Sequence, residues 1–285
     1  MYLHSILIII VCIPSILPVI SFGGKSANHR EEISIFSFNA KFFRKRNTYE
    51  KFSERTISAV VQQDSDIKCI QEFSTNSKWK VLDVTSRIRS QGYYSYIFKA
   101  EVPESDHNPG LAIFSKFPIV TSGIVWQEPG IHHAGIFTDI KIREDTIRVY
   151  NVHFASLLFR VRQITLEDKI ESFSKRLQSA ALIREKRTSS LIDHSKLSPY
   201  PVIIVGDFNE TPYSYNFRTI GRELNNLFSK VGRGIAYTYS AFPILLKIDH
   251  QFYDPGIDAT RTVIDKIHTD SDHYPIIGYY TLDRK

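Results

Sequence analysis

The chain consists mostly of short apolar runs that alternate with polar and turn residues. Short runs rich in Ile, Val, Phe and Tyr predict β-strands. We predict strands over residues 33–39, 67–71, 93–98, 111–115, 120–126, 136–142, 147–153, 202–205, 247–252 and 276–280. Two longer segments, 51–63 and 166–192, predict helices. Because strands greatly outnumber helices, the pattern predicts an α/β fold in which helices cover the outer faces of two packed sheets.

The two predicted helices rest on different signals. Residues 51–63 follow Asn47 and Thr48, which are common helix-capping types. Residues 166–192 place an apolar stripe along one face, formed by Ile170, Phe173, Leu177, Ala181 and Leu191. No internal repeat and no long linker interrupts residues 31–285, so we expect a single domain there.

The N-terminal segment 1–24 contains no Lys, Arg, Asp or Glu and is apolar over most of residues 3–20. A bilayer is crossed by roughly 20 apolar residues, so this segment predicts a signal peptide or an N-terminal membrane anchor. A buried N-terminal strand or helix is the alternative. We therefore expect an extracytoplasmic protein, either secreted or attached to a membrane through residues 3–20.

Composition adds a preference for anionic partners. The 285 residues are 42% hydrophobic and carry a formal net charge of +6. A positive field favours nucleic acid, phospholipid headgroups or other phosphate esters, although a merely soluble basic surface explains the charge equally well. Cys69 is the one cysteine outside the N-terminal segment, so residues 31–285 form no internal disulfide, and we expect a buried thiol and a monomer.

Polar residues interrupt the apolar pattern where several predicted strands end. These residues are Asn39, Glu72, His153, Asp207 and Asn209. Two further groups, Asp249 with His250 and Asp272 with His273, lie near the C-terminus. Since α/β proteins place their sites at shared strand ends, we expect these side chains to converge.

The residue types at these strand ends suit phosphate-ester hydrolysis assisted by a metal ion. Mg²⁺, with Mn²⁺ or Ca²⁺ as alternatives, prefers carboxylate ligands, and Glu72 is the best candidate. Asp207 and Asn209 would project to one side, and Gly206 would let the backbone approach closely.

Histidines would supply the proton transfers that such hydrolysis needs. We expect His273 to act as the base and Asp249 to orient it. His153 would contact the phosphate or serve as general acid. Asp272 would help to bind the metal or position the water.

Each of these motifs has an ordinary structural explanation when it stands alone. "GDFN" is also a common strand-to-turn exit, and "SDH" a common turn triplet. "NVH" suits a core histidine. Their joint occurrence at strand boundaries favours a functional site.

The ordered motifs resemble the endonuclease/exonuclease/phosphatase superfamily. They are "SFN" at 37–39, "IQE" at 70–72, "GLAIFSKFPI" at 110–119, "NVH" at 151–153, "GDFNETPYS" at 206–214, "KID" at 247–249 and "SDHYPI" at 271–276. The resemblance implies a deoxyribonuclease I-like four-layer α/β sandwich with two mostly antiparallel sheets, and a metal-dependent phosphoesterase that usually uses Mg²⁺. It implies metal-site positions at Asn39 and Glu72, catalytic positions at His153, Asp207, Asn209 and Asp249, and a terminal catalytic pair formed by Asp272 and His273.

Several substrate classes are compatible with the sequence. Basic segments 41–47 and 159–163 suit a nuclease, and we take nucleic acid as the leading substrate. Apolar segments 156–159 and 240–246 would suit a sphingomyelinase that enters a bilayer, and a phosphoinositide phosphatase is a third alternative. A binding domain without activity is the alternative from another class, although Glu72 and His273 are both retained. The adjacent His132 and His133 suggest a metal site, but we interpret their segment, "EPGIHHAG", as a turn between strands.

Overall fold

The computed structural model describes residues 20–22, 32–45, 48–101, 109–129, 132–156, 170–240, 246–266 and 269–282. Its strands are β1 Ile20–Phe22, β2 Ile33–Asn39, β3 Arg44–Lys45, β4 Thr48–Phe52, β5 Ile67–Phe73, β6 Tyr94–Lys99, β7 Gly110–Ser115, β8 Ile119–Gln127, β9 Ala134–Ile142, β10 Asp145–His153, β11 Val202–Asp207, β12 Asn225–Asn226, β13 Arg233–Ile235, β14 Asp249–Tyr253, β15 Asp258–Ile264 and β16 Ile276–Thr281. The α-helices are α1 Glu54–Gln62, α2 Val84–Arg89, α3 Ile170–Lys196, α4 Tyr215–Glu223 and α5 Leu227–Val231.

Two six-stranded sheets form the centre of the fold. The first has the order β15-β16-β2-β5-β7-β6, and the second has the order β12-β14-β11-β10-β9-β8. Strand β2 runs parallel to β5, and β10 runs parallel to β11. The other pairs within these two sheets are antiparallel, so the sheets are mostly antiparallel as predicted.

Alternation of side chains along the strands explains the four layers. In β2, Ile35 faces the core between the two sheets, whereas Phe36 and Phe38 face a second cluster beneath α1 and α2. In the other sheet, Ile204 belongs to a third cluster with Leu191 of α3 and Ile220 of α4. Both faces of each sheet are therefore buried, which is why the central strands read as continuous apolar runs. The predicted four-layer α/β sandwich is confirmed.

Buried amides join the two sheets close to the strand ends. Gln71 Nε2 of β5 donates to Asn151 Oδ1 of β10 at 2.6 Å. Asn151 Nδ2 donates in turn to the backbone carbonyls of Ile70 and Ala112 at 3.1 and 3.0 Å. Both side chains are fully buried, so these hydrogen bonds act at low dielectric and fix how one sheet stacks on the other.

The helix predicted over residues 51–63 is shorter than expected. Its residues 51 and 52 belong to β4, and α1 begins after Ser53, whose Oγ accepts from Thr56 N at 3.1 Å. The predicted cap at Thr48 is therefore wrong, because Thr48 begins β4, and Asn47 lies outside the described residues. Helix α3 runs on to Lys196, and residues 166–169 of its predicted range lie outside the described residues. Strands β3, β4, β12, β13 and β15 and helices α2, α4 and α5 were not predicted.

Part of the N-terminal segment lies against the domain. Strand β1 pairs antiparallel with β13, and Ile20 faces Ile235 in that register. Residues 1–19 and 23–31 lie outside the described residues, so the signal or anchor stays a prediction. Within the part of the chain that the structure describes, no helix is long and apolar enough to span a membrane.

Candidate active site

The predicted site residues meet at one end of the sandwich. Asn39 ends β2, and His153 ends β10. Asp207, which ends β11, is aligned with His153 on one side and with Asp249 of β14 on the other. The predicted convergence is therefore what the strand register produces.

Asn39 connects the two sheets at this end. Its Nδ2 donates to Glu72 Oε1 at 3.1 Å and to Asp207 Oδ2 at 3.0 Å, while Oδ1 accepts from Lys41 N at 3.0 Å. His153 Nε2 lies 3.6 Å from the same two carboxylate oxygens. Two acidic groups and one imidazole thus surround a single buried amide.

Three backbone segments at the site adopt positive φ without glycine. Glu72 has φ of 46° where β5 bulges against β7, and Asn209 has φ of 48°. Lys41, Phe42 and Phe43 have φ of 48°, 53° and 57° in a short turn directly after β2. Such conformations cost roughly 1–3 kcal/mol each and concentrate at functional sites. The bulge turns Glu72 toward the site.

Gly206 permits the close pairing of β11 with β10. Its φ is +148°, and a Cβ there would lie 2.0 Å from the carbonyl oxygen of Val152. An L-residue with a side chain would therefore clash with backbone rather than with a movable side chain. The prediction of a close backbone approach at Gly206 is confirmed, and it keeps Asp207 beside His153.

His273 and Asp249 form a buried ion pair. The His273 Nδ1 atom lies 3.1 and 3.0 Å from the two oxygens of Asp249. Burial alone would lower the pKa of His273, but Asp249, Asp207 and Asp272 outweigh it and raise the pKa to about 10. The isolated chain therefore holds His273 as the imidazolium at neutral pH.

Asp207 and His153 are both driven toward their neutral forms. Burial, followed by the charge of Asp249, raises the pKa of Asp207 to about 7, although His273 opposes the shift. Burial lowers the pKa of His153 well below its usual value, and the neighbouring histidines lower it further. A neutral His153 carries one ring N–H, which suits a hydrogen bond to phosphate better than acid catalysis.

Asp272 lies in the same region but contacts a different partner. Its Oδ2 accepts from Lys41 Nζ at 2.9 Å. Burial would raise the pKa of Asp272, but His273 and Lys41 keep it below its ordinary value. Its predicted role as a metal ligand stays a prediction, because the contact seen here is an ion pair.

Asn209 contacts both Asp207 and the backbone that follows β10. Its backbone N–H donates to Asp207 Oδ1 at 2.9 Å, and its Nδ2 donates to the carbonyl of Phe154 at 2.8 Å. Asn209 therefore holds Asp207 in place, and its second amide hydrogen is the one left for a phosphate oxygen.

The expectation that His250 joins the site is wrong, because His250 of β14 contacts Lys247 and the carbonyl of Glu210 instead. Lys247 Nζ lies 3.0 Å from His250 Nδ1, and both side chains are buried. Burial lowers the pKa of Lys247 to about 7 even though Asp249 opposes the shift.

Sequence reasoning missed three contributors to the site. Lys41 was assigned to a basic segment, but it pairs with Asp272. Ser271 Oγ donates to the carbonyl of Asn39 at 2.7 Å and accepts from His273 N at 3.1 Å, which ties the "SDH" turn to β2. The His133 ring lies 4.8 Å from the His153 ring. His133 directly precedes β9 in the structure, but the predicted strand begins at residue 136, so no sequence signal marked this contact.

The donor set fits a hard divalent cation. Glu72 and Asp207 supply two carboxylates, and the Asn39 amide lies between them. Among the described residues, no lysine or arginine forms an ion pair with either carboxylate, and the Glu72 side chain is 18% exposed. Mg²⁺ binds through one or two carboxylates and keeps water or phosphate oxygens in its other positions. Glu72, with Asn39 beside it, would hold such an ion.

The chain belongs to the Endonuclease/Exonuclease/phosphatase family, whose model matches residues 36–273. The matched region contains every candidate site residue from Asn39 to His273. Membership of this family supports a phosphoesterase hydrolase. No curated protein sequence matches the chain.

Solved structures at low sequence identity share the fold. An endonuclease/exonuclease/phosphatase from Beutenbergia cavernae is 15% identical, with a TM-score of 0.66 over 89% of this chain and 72% of that chain. The human Nocturnin catalytic domain is 18% identical, with a TM-score of 0.62 over 90% and 97%. A mannosyl-6-phosphatase from Bacteroides thetaiotaomicron is 17% identical, with a TM-score of 0.61 over 87% and 99%.

Proposed function

We propose that the protein is a divalent-metal-dependent phosphodiesterase, with nucleic acid as its leading substrate. One observation carries the proposal. The His273–Asp249 pair, Asp207, and the Asn39–Glu72 pair meet at one end of the sandwich, each linked to the next by contacts of 3.7 Å or less. A cluster of this kind joins proton-transfer groups to oxygen ligands for a cation.

The contacts of each side chain indicate its role in phosphodiester hydrolysis. His273, oriented by Asp249 through Nδ1, presents Nε2 at 3.7 Å from Asp207 Oδ2 and would exchange a proton with water or the leaving oxygen. The neutral His153 would donate its single N–H to a phosphate oxygen. Asp207 and Asn209 would position the attacking water. A cation bound at Glu72, when present, would stabilise negative charge on the phosphoryl oxygens.

Glu72, by holding a cation near the other carboxylates, would also favour the neutral form of His273. A general base must be the neutral ring, whereas Asp249 and Asp207 favour the imidazolium. Positive charge beside Asp207 offsets part of that preference.

Two features support an anionic phosphate-ester substrate, for which nucleic acid is the leading class. The net charge of +6 favours an anionic partner, and the basic segment 41–47 follows Asn39 closely in the sequence. Within that segment, Lys41 lies at the site and Arg44 lies over the Phe52 ring at 5.9 Å, while residues 46–47 lie outside the described residues. The second basic segment, 159–163, also lies outside them, as do most of the apolar segments 156–159 and 240–246. Export, or anchoring through residues 3–20, remains part of the proposal.

Hydrolysis by the full-length chain tests the proposal. Plasmid DNA, sphingomyelin, phosphoinositides and a generic phosphodiester would each be assayed with Mg²⁺ and with chelator. We expect plasmid cleavage that needs Mg²⁺ and that His273→Ala abolishes. His194→Gln is the matched control, since His194 contacts Tyr150 on another part of the second sheet, and it should retain activity.

The outcomes separate the alternatives. Turnover of sphingomyelin or phosphoinositides, with intact plasmid, would keep the phosphoesterase and replace the substrate. Full turnover in chelator would refute metal dependence. No turnover of any phosphate ester would favour a binding domain on the same scaffold.

A further inference from the structure

Three histidine rings form a compact cluster beside the carboxylates. The ring centroids of His132, His133 and His153 lie 4.8 Å, 5.3 Å and 4.8 Å apart in the three pairs. Each residue offers one ring nitrogen within 4.8 Å of the nitrogens offered by the other two. His133 and His153 are buried, and His132 is partly exposed.

The sheet, rather than a loose loop, builds this cluster. His153 is aligned with Ala134 across β9 and β10, so His133 lies next to His153 by register. The carbonyl of His133 accepts from Glu128 N at 3.0 Å, which fixes the chain before β9. The Phe42 ring packs edge-on against His132 with centroids 4.9 Å apart.

The two nitrogens of His153 have different surroundings. Nε2 faces the carboxylate oxygens of Glu72 and Asp207 at 3.6 Å. Nδ1 is buried and has no hydrogen-bond partner in the part of the chain that the structure describes. Histidines that bind a metal through one nitrogen commonly direct the other N–H at a carboxylate, which fixes the tautomer. An unpaired buried nitrogen is otherwise costly.

We propose that His132, His133 and His153 bind a second divalent cation of the zinc type, separate from the oxygen-ligand cation at Glu72. Imidazole nitrogens suit Zn²⁺, whereas carboxylate and amide oxygens suit Mg²⁺, so the two donor sets select different ions. Three protein ligands leave one position of a tetrahedral Zn²⁺ open for water or an anionic oxygen. The site goes beyond the proposed function and does not depend on it.

Metal binding by the full-length chain, stripped with chelator, tests this site. Zn²⁺ would be titrated by calorimetry in saturating Mg²⁺, and Co²⁺ would be added as a probe whose visible absorption reports nitrogen ligands in four-coordinate geometry. We expect one Zn²⁺ per chain. His132→Gln and His133→Gln should each weaken Zn²⁺ binding at least about 10-fold and abolish the Co²⁺ absorption.

Matched variants make the result interpretable. His194→Gln removes an imidazole outside the cluster and should bind Zn²⁺ like the wild type, whereas Glu72→Gln should weaken Mg²⁺ binding more than Zn²⁺ binding. His132 is partly exposed, so its variant keeps the test valid if the buried His133 variant fails to fold. Absence of stoichiometric Zn²⁺ binding, or Zn²⁺ affinity that follows Glu72 rather than His132, would overturn the proposal.

Discussion

Replacing Asp249 with asparagine should remove the charge that holds His273 protonated. The substitution keeps the shape of the side chain, and both oxygens of Asp249 lie within 3.1 Å of His273 Nδ1. Among the charges that raise the pKa of His273, Asp249 contributes most. The amide of the substituted side chain would still reach the ring, so the change isolates the charge.

The size of the effect follows from the separation. Two unit charges at this distance interact by about 5 kcal/mol at an effective dielectric constant of 20. At about 1.4 kcal/mol per pKa unit, the loss of the Asp249 charge could lower the pKa of His273 by at most about 4 units. Asp207 and Asp272 remain, so we expect the pKa of His273 to fall from about 10 by at least about one unit. Turnover should fall at least about 100-fold, because a neutral amide does not stabilise the imidazolium that forms when His273 takes a proton.

Nitrogen NMR of the histidine rings, in chelator, measures this pKa. The His273 signals would be identified by their loss in His273→Gln. Asp139→Asn serves as the control, because it removes a buried carboxylate from the Arg148 ion pair and should leave the pKa of His273 unchanged. A His273 pKa in Asp249→Asn equal to that of the wild type would refute the electrostatic reasoning.

Three further substitutions test other parts of the structure. Gly206→Ala should lower the unfolding free energy by about 3 kcal/mol or more in denaturant titrations, because the added Cβ would clash with the backbone of Val152. Gly221→Ala is the control and should not lower the unfolding free energy, because no atom lies within 4 Å of its added Cβ. Equal effects of the two substitutions would contradict the close approach at Gly206. His273→Gln should lower the melting temperature most below about pH 6.5, and the difference from the wild type should shrink as pH rises through about 10. The reason is that the raised pKa of His273 stabilises the folded state only while the ring is protonated. A difference in melting temperature that grows with pH would contradict this reasoning. Lys41→Met should tighten Mg²⁺ binding in calorimetry if freed Asp272 becomes a ligand, and unchanged affinity would exclude that role.

The site was predictable where it depends on strand ends. Asn39, His153 and Asp207 each follow an apolar run in the sequence, and strand register alone brings them together. The same reasoning placed Glu72, although its position depends on a bulge that the sequence does not signal.

Contacts that depend on irregular backbone were not predictable. Lys41 reaches Asp272 through a turn of positive φ in which no residue is glycine. Strand β15 escaped prediction because its residues are mostly exposed or half-buried and form no apolar run. The His133 contact depends on which residues of β9 and β10 are aligned, which requires knowledge of the register.

Because Glu72 has a left-handed backbone conformation, a substitution that stabilises the fold at this position would remove activity. Glycine would relax the strained φ at this position but would delete the carboxylate at the centre of the site. A laboratory screen that rewards only heat resistance would therefore enrich inactive variants here. Directed evolution of this scaffold needs a turnover criterion at every round.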